Sequence, residues 1–211
     1  MAFVAILAAA LKVSNQTPRS PLGGKAISND QEYRSAELRA DALTKELVPK
    51  YDRGGTPTES ERVTLRKAVT LYDKMSAFTP AISPLFFASG KIHHILGEDD
   101  IAEEKYRQCM LTFYNDAATR PQFAKGIRLT GAEASYRLAT MLVKGVNKQA
   151  AFEASDVAVY YMKESSAYYT VRAEALIGLG NVKAARADLQ EAIRLLPSNP
   201  EPRRLLESLP K

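Results

Sequence analysis

The chain contains one cysteine, Cys109, and two histidines, the adjacent pair His93 and His94. A single cysteine rules out a disulfide within one chain and any zinc site built on several thiolates. It leaves the compartment open, because a protein without disulfides suits the cytosol and export alike. Neighbouring histidines on a helix point ~100° apart and do not readily share one metal ion. A nucleophile–base–orienter set would have to use one of them. No serine, nor Cys109, stands in a recognisable nucleophile context, and Cys109 reads as a small buried apolar residue. No stretch alternates apolar and polar residues as a half-buried strand does. Leu22-Gly23-Gly24-Lys25 lacks the spacing of a phosphate-binding loop and follows no strand. The acidic residues Glu98, Asp99, Asp100, Glu103 and Glu104 lack the alternation of a calcium loop. At the start of a helix they complement its dipole instead. These absences point away from catalysis, and no cofactor or metal is expected.

The remaining composition is that of a helical protein. The chain has 211 residues, 45% hydrophobic, with Pro and Gly mostly between helix-like segments. The net charge of +5 is spread along the chain. It speaks to solubility and loose association. No Lys/Arg cluster is interleaved with aromatics, so no nucleic-acid groove is expected.

The N-terminus carries an apolar run from Ala2 to Leu11. It is too short to span a bilayer, which takes ~20 apolar residues. It has the apolar core and small residues of a signal peptide, but no positive charge before them. Three readings stay open: a helix packing on its own domain or a partner, an export or membrane-tethering signal, or a disordered start. Membrane association through residues 2–11 is thus one alternative, with a cytoplasmic location slightly ahead. Residues 1–28 form this segment and a Pro/Gly linker, and residues 29–211 one helical repeat domain.

Helices are expected over 29–51, 58–77, 85–96, 101–113, 132–144, 148–163, 167–179, 182–196 and 200–209. Ser28, Asn29 or Asp30 can cap the first, and Tyr33, Ala36, Ala40, Leu43 and Leu47 give it one apolar stripe. Thr58 with Glu61, and Thr130 with Glu133, match capping boxes. Residues 114–131 interrupt the rhythm and read as a loop or short extra turn.

Self-similarity organises these helices. Laying Ser166–Asn199 over Ala132–Ser165 puts Ala173 on Ala139, Leu176 on Leu142, Ala185 on Ala151 and Ala192 on Ala158. Against Ser83–Asp116, Tyr169 matches Phe86, Ala173 matches Gly90, Gly180 matches Gly97, Ala185 matches Ala102 and Leu189 matches Tyr106, with Cys109 in place of Ala192. Close helix crossings need small residues on both helices, here Gly90 against Ala102 and Ala173 against Ala185. Gly97 and Gly180 turn the chain tightly, and Pro197 stops a second helix.

These residues resemble the tetratricopeptide repeat (TPR), a helix-turn-helix of ~34 residues. The resemblance covers about residues 29–199 in roughly four units and is strongest in Ser166–Asn199. It implies an all-α fold of antiparallel helix hairpins stacked as a short right-handed superhelix. It further implies a concave groove lined by first helices, near which Phe87, Lys91, His94, Ser135, Thr170 and Glu174 are expected. Some TPR proteins clamp a peptide carboxylate with Lys, Asn and Arg, but those Asn positions are unmatched here. The expected partner is another protein or a peptide segment, and the expected role is a non-catalytic scaffold or assembly subunit. The alternative is an exported or membrane-tethered helical protein.

Overall fold

The computed structural model describes residues 26–210 except Arg53. The apolar run at residues 2–11, and with it the question of a signal or anchor, lies outside the described residues. Among the described residues there is no strand, and no helix is long and apolar enough to cross a membrane.

Helices follow one another as α1 (Asp30–Thr44), α2 (Leu47–Tyr51), α3 (Glu59–Phe78), α4 (Ser83–Ile95), α5 (Asp99–Thr119), α6 (Ala124–Leu142), α7 (Lys148–Tyr161), α8 (Ser166–Gly178), α9 (Val182–Leu195) and α10 (Glu201–Ser208). The chain divides into two compact units, 1–112 and 113–211, with the division inside α5.

In the first unit, Asn29 caps α1 by accepting from the Glu32 amide. The expected stripe is the buried face: Ala36 and Ala40 join Leu65, Ala68, Tyr72 and Met75 of α3 in one core, with Tyr33, Leu43 and Leu47 packed against it. The first helix is not continuous to Tyr51, because the chain breaks at Lys45–Glu46. Pro49 explains this: it has no N–H for Lys45 to receive, and its ring clashes with that carbonyl in a continuous helix. In α2 the same proline falls in the first turn, where its missing donor is harmless. The Thr58–Glu61 capping box forms as expected. The Glu61 carboxylate also accepts from Lys50 Nζ and Tyr51 Oη, each at 2.7 Å, which ties α2 to the start of α3.

The repeat is visible in backbone detail. The carbonyl of His93 accepts from the Glu98 amide and that of His94 from Gly97, closing α4 in a Schellman turn. The Leu176–Asn181 and Ile177–Gly180 bonds repeat it after α8. Both glycines have φ of 76°, a conformation glycine adopts without a Cβ penalty. Asn147 and Asn181 cap α7 and α9 in the same way. The second helices α3, α7 and α9 end on Thr79, Met162 and Leu196, with near-identical backbone angles. These residues stand at equivalent places in the sequence alignment.

Within the second unit, Ala173, Leu176, Ala185 and Leu189 of α8 and α9 form one core cluster with Leu209. Ala132, Ala158, Val159 and Tyr168 form another. The helix α10 is amphipathic, with Leu205 and Leu206 on the core and Arg203, Arg204 and Glu207 in solvent.

Residues 114–131 are not a loop. They lengthen α5 to 21 residues, against 14 for α7 and α9, and α6 to 19, against 13 for α4 and α8. Only Arg120 and a single 3-10 turn, Pro121–Phe123, separate the two helices. Asp116 is 1% exposed and accepts from Arg120 one turn on, through both oxygens. That pair holds the last turn of α5. Pro121 then forces Arg120 out of helical angles (φ −124°, ψ 64°). Thr130 therefore lies inside α6 and caps nothing. Ile127 and Gly131 already face the core. Glu133 instead accepts from Tyr168 Oη at 2.6 Å and Arg137 Nε at 2.9 Å.

Candidate functional site

Packing residues set which face of each first helix stays open. Phe86, Ala102, Tyr106, Ala173, Ala185, Leu189 and Ala192 are at most 9% exposed. Tyr169 is half-buried, with the Arg172 guanidinium 5.4 Å from its ring centre. A Cβ on Gly90 would sit 2.8 Å from Tyr106 Cε1 and 3.2 Å from Lys105 Cβ. The Tyr106 ring, rather than Ala102, is thus what requires glycine there. Cys109 is buried at 0% exposure. Pro197 follows the end of α9.

In α4 the spacing Phe87, Lys91, His94 places three residues on the side away from Leu85, Ile92 and His93, which are buried. The Phe87 ring tilts against Tyr106 at 6.1 Å. Lys91 Nζ lies 5.5 Å from the Phe87 ring centre and 3.2 Å from Asp52 Oδ2. His94 is open, its side chain 48% exposed, with Nδ1 3.1 Å from Asp99 Oδ1. His93 points inward to Glu98, 2.7 Å away. The two histidines thus have separate partners and do not converge on one site.

In the second unit the expected residues fare unequally. Glu174 is half-buried. Burial raises its pKa, Glu201 adds to the rise, and Lys144 and Lys148 oppose it. Ser135 and Thr170 are buried, and each hydroxyl donates to the carbonyl four residues earlier, Gly131 and Ser166. Neither offers a group to a partner. For Ser135 the reason is register: the residue equivalent to Thr170 one repeat earlier is Tyr136. Its ring is half-buried and stacks on Tyr168 at 4.7 Å. Burial raises the Tyr136 pKa, as it does that of Tyr168, where the Glu133 hydrogen bond adds to the shift. Applying the repeat spacing to Thr170 would have found Tyr136 from sequence.

Two part-buried charge clusters sit at equivalent repeat positions. In the second unit Arg172 forks onto Asp188 with two 2.8 Å bonds and reaches Asp156 at 2.7 Å. In the first, Asp73 Oδ1 accepts from Lys105 Nζ at 2.7 Å and Ser89 Oγ at 3.0 Å. Asp73 stands where Asp156 does, Ser89 where Arg172 does and Lys105 where Asp188 does. The cation has changed helix while the acid of the preceding second helix is kept. Each set is internally paired and inward, so it positions helices and offers nothing to a ligand. Among the described residues no group of three His, Cys, Asp or Glu side chains could hold a metal ion.

No protein-family model and no curated protein sequence matches the chain. Solved structures do. MamA (41-end) from Desulfovibrio magneticus RS-1 superposes with a TM-score of 0.54 at 16% identity, over 81% of each chain. The first TPR of Spaghetti (RPAP3), bound to the HSP90 peptide SRMEEVD, overlaps 59% of this chain and 87% of its own at 19% identity and a TM-score of 0.43. YrrB, described as a TPR protein with an unusual peptide-binding site, overlaps 80% of this chain and 99% of its own at 13% identity and a TM-score of 0.36. At 16% identity the likeness to MamA concerns the fold alone. With matching Schellman turns, helix caps and helix ends at repeat intervals, the chain is a TPR-like helical-repeat protein.

Proposed function

We propose that the chain is a non-catalytic interaction scaffold that binds another protein, or a peptide segment of one, through its first helices. The observation that carries this is the state of those helices. Their inner faces are closed by packing, yet α4 keeps His94 exposed and Phe87 and Lys91 half-buried, and α6 and α8 keep Tyr136 and Glu174 half-buried. Large aromatic and charged side chains, immobilised by neighbours, are what a partner binds without ordering them first.

Crosslinking mass spectrometry of the tagged chain captured with its partners tests this reading. Crosslinks from Lys91 and Lys144 to a second protein are expected. Crosslinks confined to the chain itself would overturn it. Lys91→Glu and Glu174→Lys should each weaken capture at least ~5-fold, the effect of losing ~1 kcal/mol at an interface contact.

A further inference from the structure

The added length of α5 and α6 has a second consequence. It brings aromatic and basic side chains to the surface of the second unit. Phe113 is 4% exposed. Its ring fills the space left by Gly131, where a Cβ would collide with it. Tyr161 stands edge-on to Phe113 at 5.3 Å, and Tyr160 edge-on to Tyr161 at 4.9 Å. This ladder leads from the core to the surface, where Tyr160 is 59% exposed. Tyr114, 62% exposed, leaves α5 one residue beyond Phe113. Burial raises the Tyr161 pKa, with Tyr114 and Tyr160 adding to the rise and Arg128 opposing it. Tyr114 adjoins Phe113 in the chain, and Arg128 lies one turn before Gly131, on which the Phe113 ring packs, so all four side chains lie around the Phe113–Tyr161 contact.

The outward charge of the segment that lengthens α5 and α6 has one sign. Residues 114–131 hold one carboxylate, Asp116, and three cations, Arg120, Lys125 and Arg128. Asp116 is buried and taken by Arg120. Lys125 and Arg128 are exposed, form no salt bridge among the described residues, and sit three apart on one side of α6. Leu129, 41% exposed, extends the stripe. Tyrosine and arginine are enriched at binding hot spots, tyrosine because it buries a large area for little lost freedom.

We propose that the face formed by Tyr114, Lys125, Arg128, Tyr160 and Tyr161 docks an acidic segment of a partner protein that carries an aromatic or aliphatic anchor. The anchor packs on Tyr160 and Tyr114, and its flanking carboxylates meet Arg128 and Lys125. The inference rests on the scaffold reading above and adds to α6 side chains of α5 and α7, Tyr114, Tyr160 and Tyr161, which that reading does not use. Two outward cations are too few to track a nucleic-acid backbone, and suit a short acidic peptide.

A phage-displayed random peptide library selected on the full chain tests it, followed by fluorescence anisotropy with the enriched peptides. Enriched peptides should be acidic with an apolar anchor. Binding should fall at least ~10-fold for Tyr160→Ser and for Arg128→Glu. Circular dichroism should show unchanged folding for these exposed substitutions. Lys91→Glu should bind the same peptides normally. Enrichment of neutral or basic peptides, or no enrichment, overturns the proposal. So does peptide binding that survives Tyr160→Ser and is lost with Lys91→Glu, an outcome that leaves the scaffold reading standing. A Tyr160-dependent affinity for phosphatidylserine vesicles or oligonucleotides, with none for acidic peptides, also overturns it.

Discussion

Replacing Arg172 by methionine is the sharpest test of how the second unit is held together. Methionine keeps the length of the aliphatic stem and removes the guanidinium. Asp188, whose side chain is 10% exposed, then loses both of its 2.8 Å hydrogen bonds. A carboxylate so placed has little access to water. Breaking a buried pair from one side leaves an uncompensated charge, at about 3–5 kcal/mol. Arg172 itself is 19% exposed, so the lower end, about 3 kcal/mol, is expected. For a chain of this size that lowers the melting temperature by about 6–12 °C. Removing both charges, as in Arg172→Met with Asp188→Leu, should recover stability to within about 1 kcal/mol of the parent, because no charge is left dehydrated. Asp156, 38% exposed, remains hydrated in either variant. Urea denaturation of the parent, both single variants and the double variant closes the cycle. A single-variant loss under about 1 kcal/mol, or a double variant no better than Arg172→Met, would refute the reasoning.

Other consequences follow from the same geometry. Lys50, then Thr58 and Tyr51, hold the Glu61 carboxyl at about 2. Its folded pKa thus lies below the unfolded value, so its contribution is present above about pH 4.3 and is lost as pH falls toward 2. Glu61→Gln should flatten the fall of the urea midpoint across that window, and an unchanged slope would count against it. Gly90→Ala should lose about 1–3 kcal/mol by overpacking against Tyr106. Gly97→Ala, with open space around it but φ of 76°, should lose about 1 kcal/mol from backbone strain alone, and equal losses at the two sites would contradict the distinction. Tyr168→Phe removes the charge-assisted bond to Glu133 and should lower stability by about 1.5–3 kcal/mol in chemical denaturation.

How much of this could be read in the sequence depended on the range of the interaction. The apolar stripe of α1, the Thr58–Glu61 box and the alignment of Gly97 with Gly180 are local or periodic signals, and the structure places them as expected. Residues 114–131 misled because Asn115, Asp116, Thr119 and Pro121 are all loop-prone types. What decides their state is the burial of Asp116 against Arg120 and of Ile127 against the core. The i,i+4 spacing of Asp116 and Arg120 was the available clue. The motif at Thr130 failed for a related reason: a capping box means something only where the helix has not already begun. Among the surface residues, Ser135 was one step out of register, and a residue three or four positions along a helix can change side with such a step. The Asp73–Lys105 and Asp156–Arg172–Asp188 sets required knowing which helices neighbour each other, which periodicity alone does not supply.

Those two charge sets also bear on how such a chain avoids misassembly. Repeats built from similar hairpins can dock on the wrong neighbour during folding, and tandem repeats are prone to this error. Here the hairpins carry unlike keys. A first helix bearing Arg172, set beside the second helix bearing Lys105, would bring two cations together. A first helix bearing Ser89, set beside Asp188, would leave that carboxylate without its guanidinium. Leu138 and Ala154, 0% and 1% exposed at the corresponding places of the hairpin between them, accept neither charge. Correct order along the chain is thus favoured by electrostatics as well as by connectivity, and hairpins that look interchangeable by shape are distinguished by where each keeps its cation.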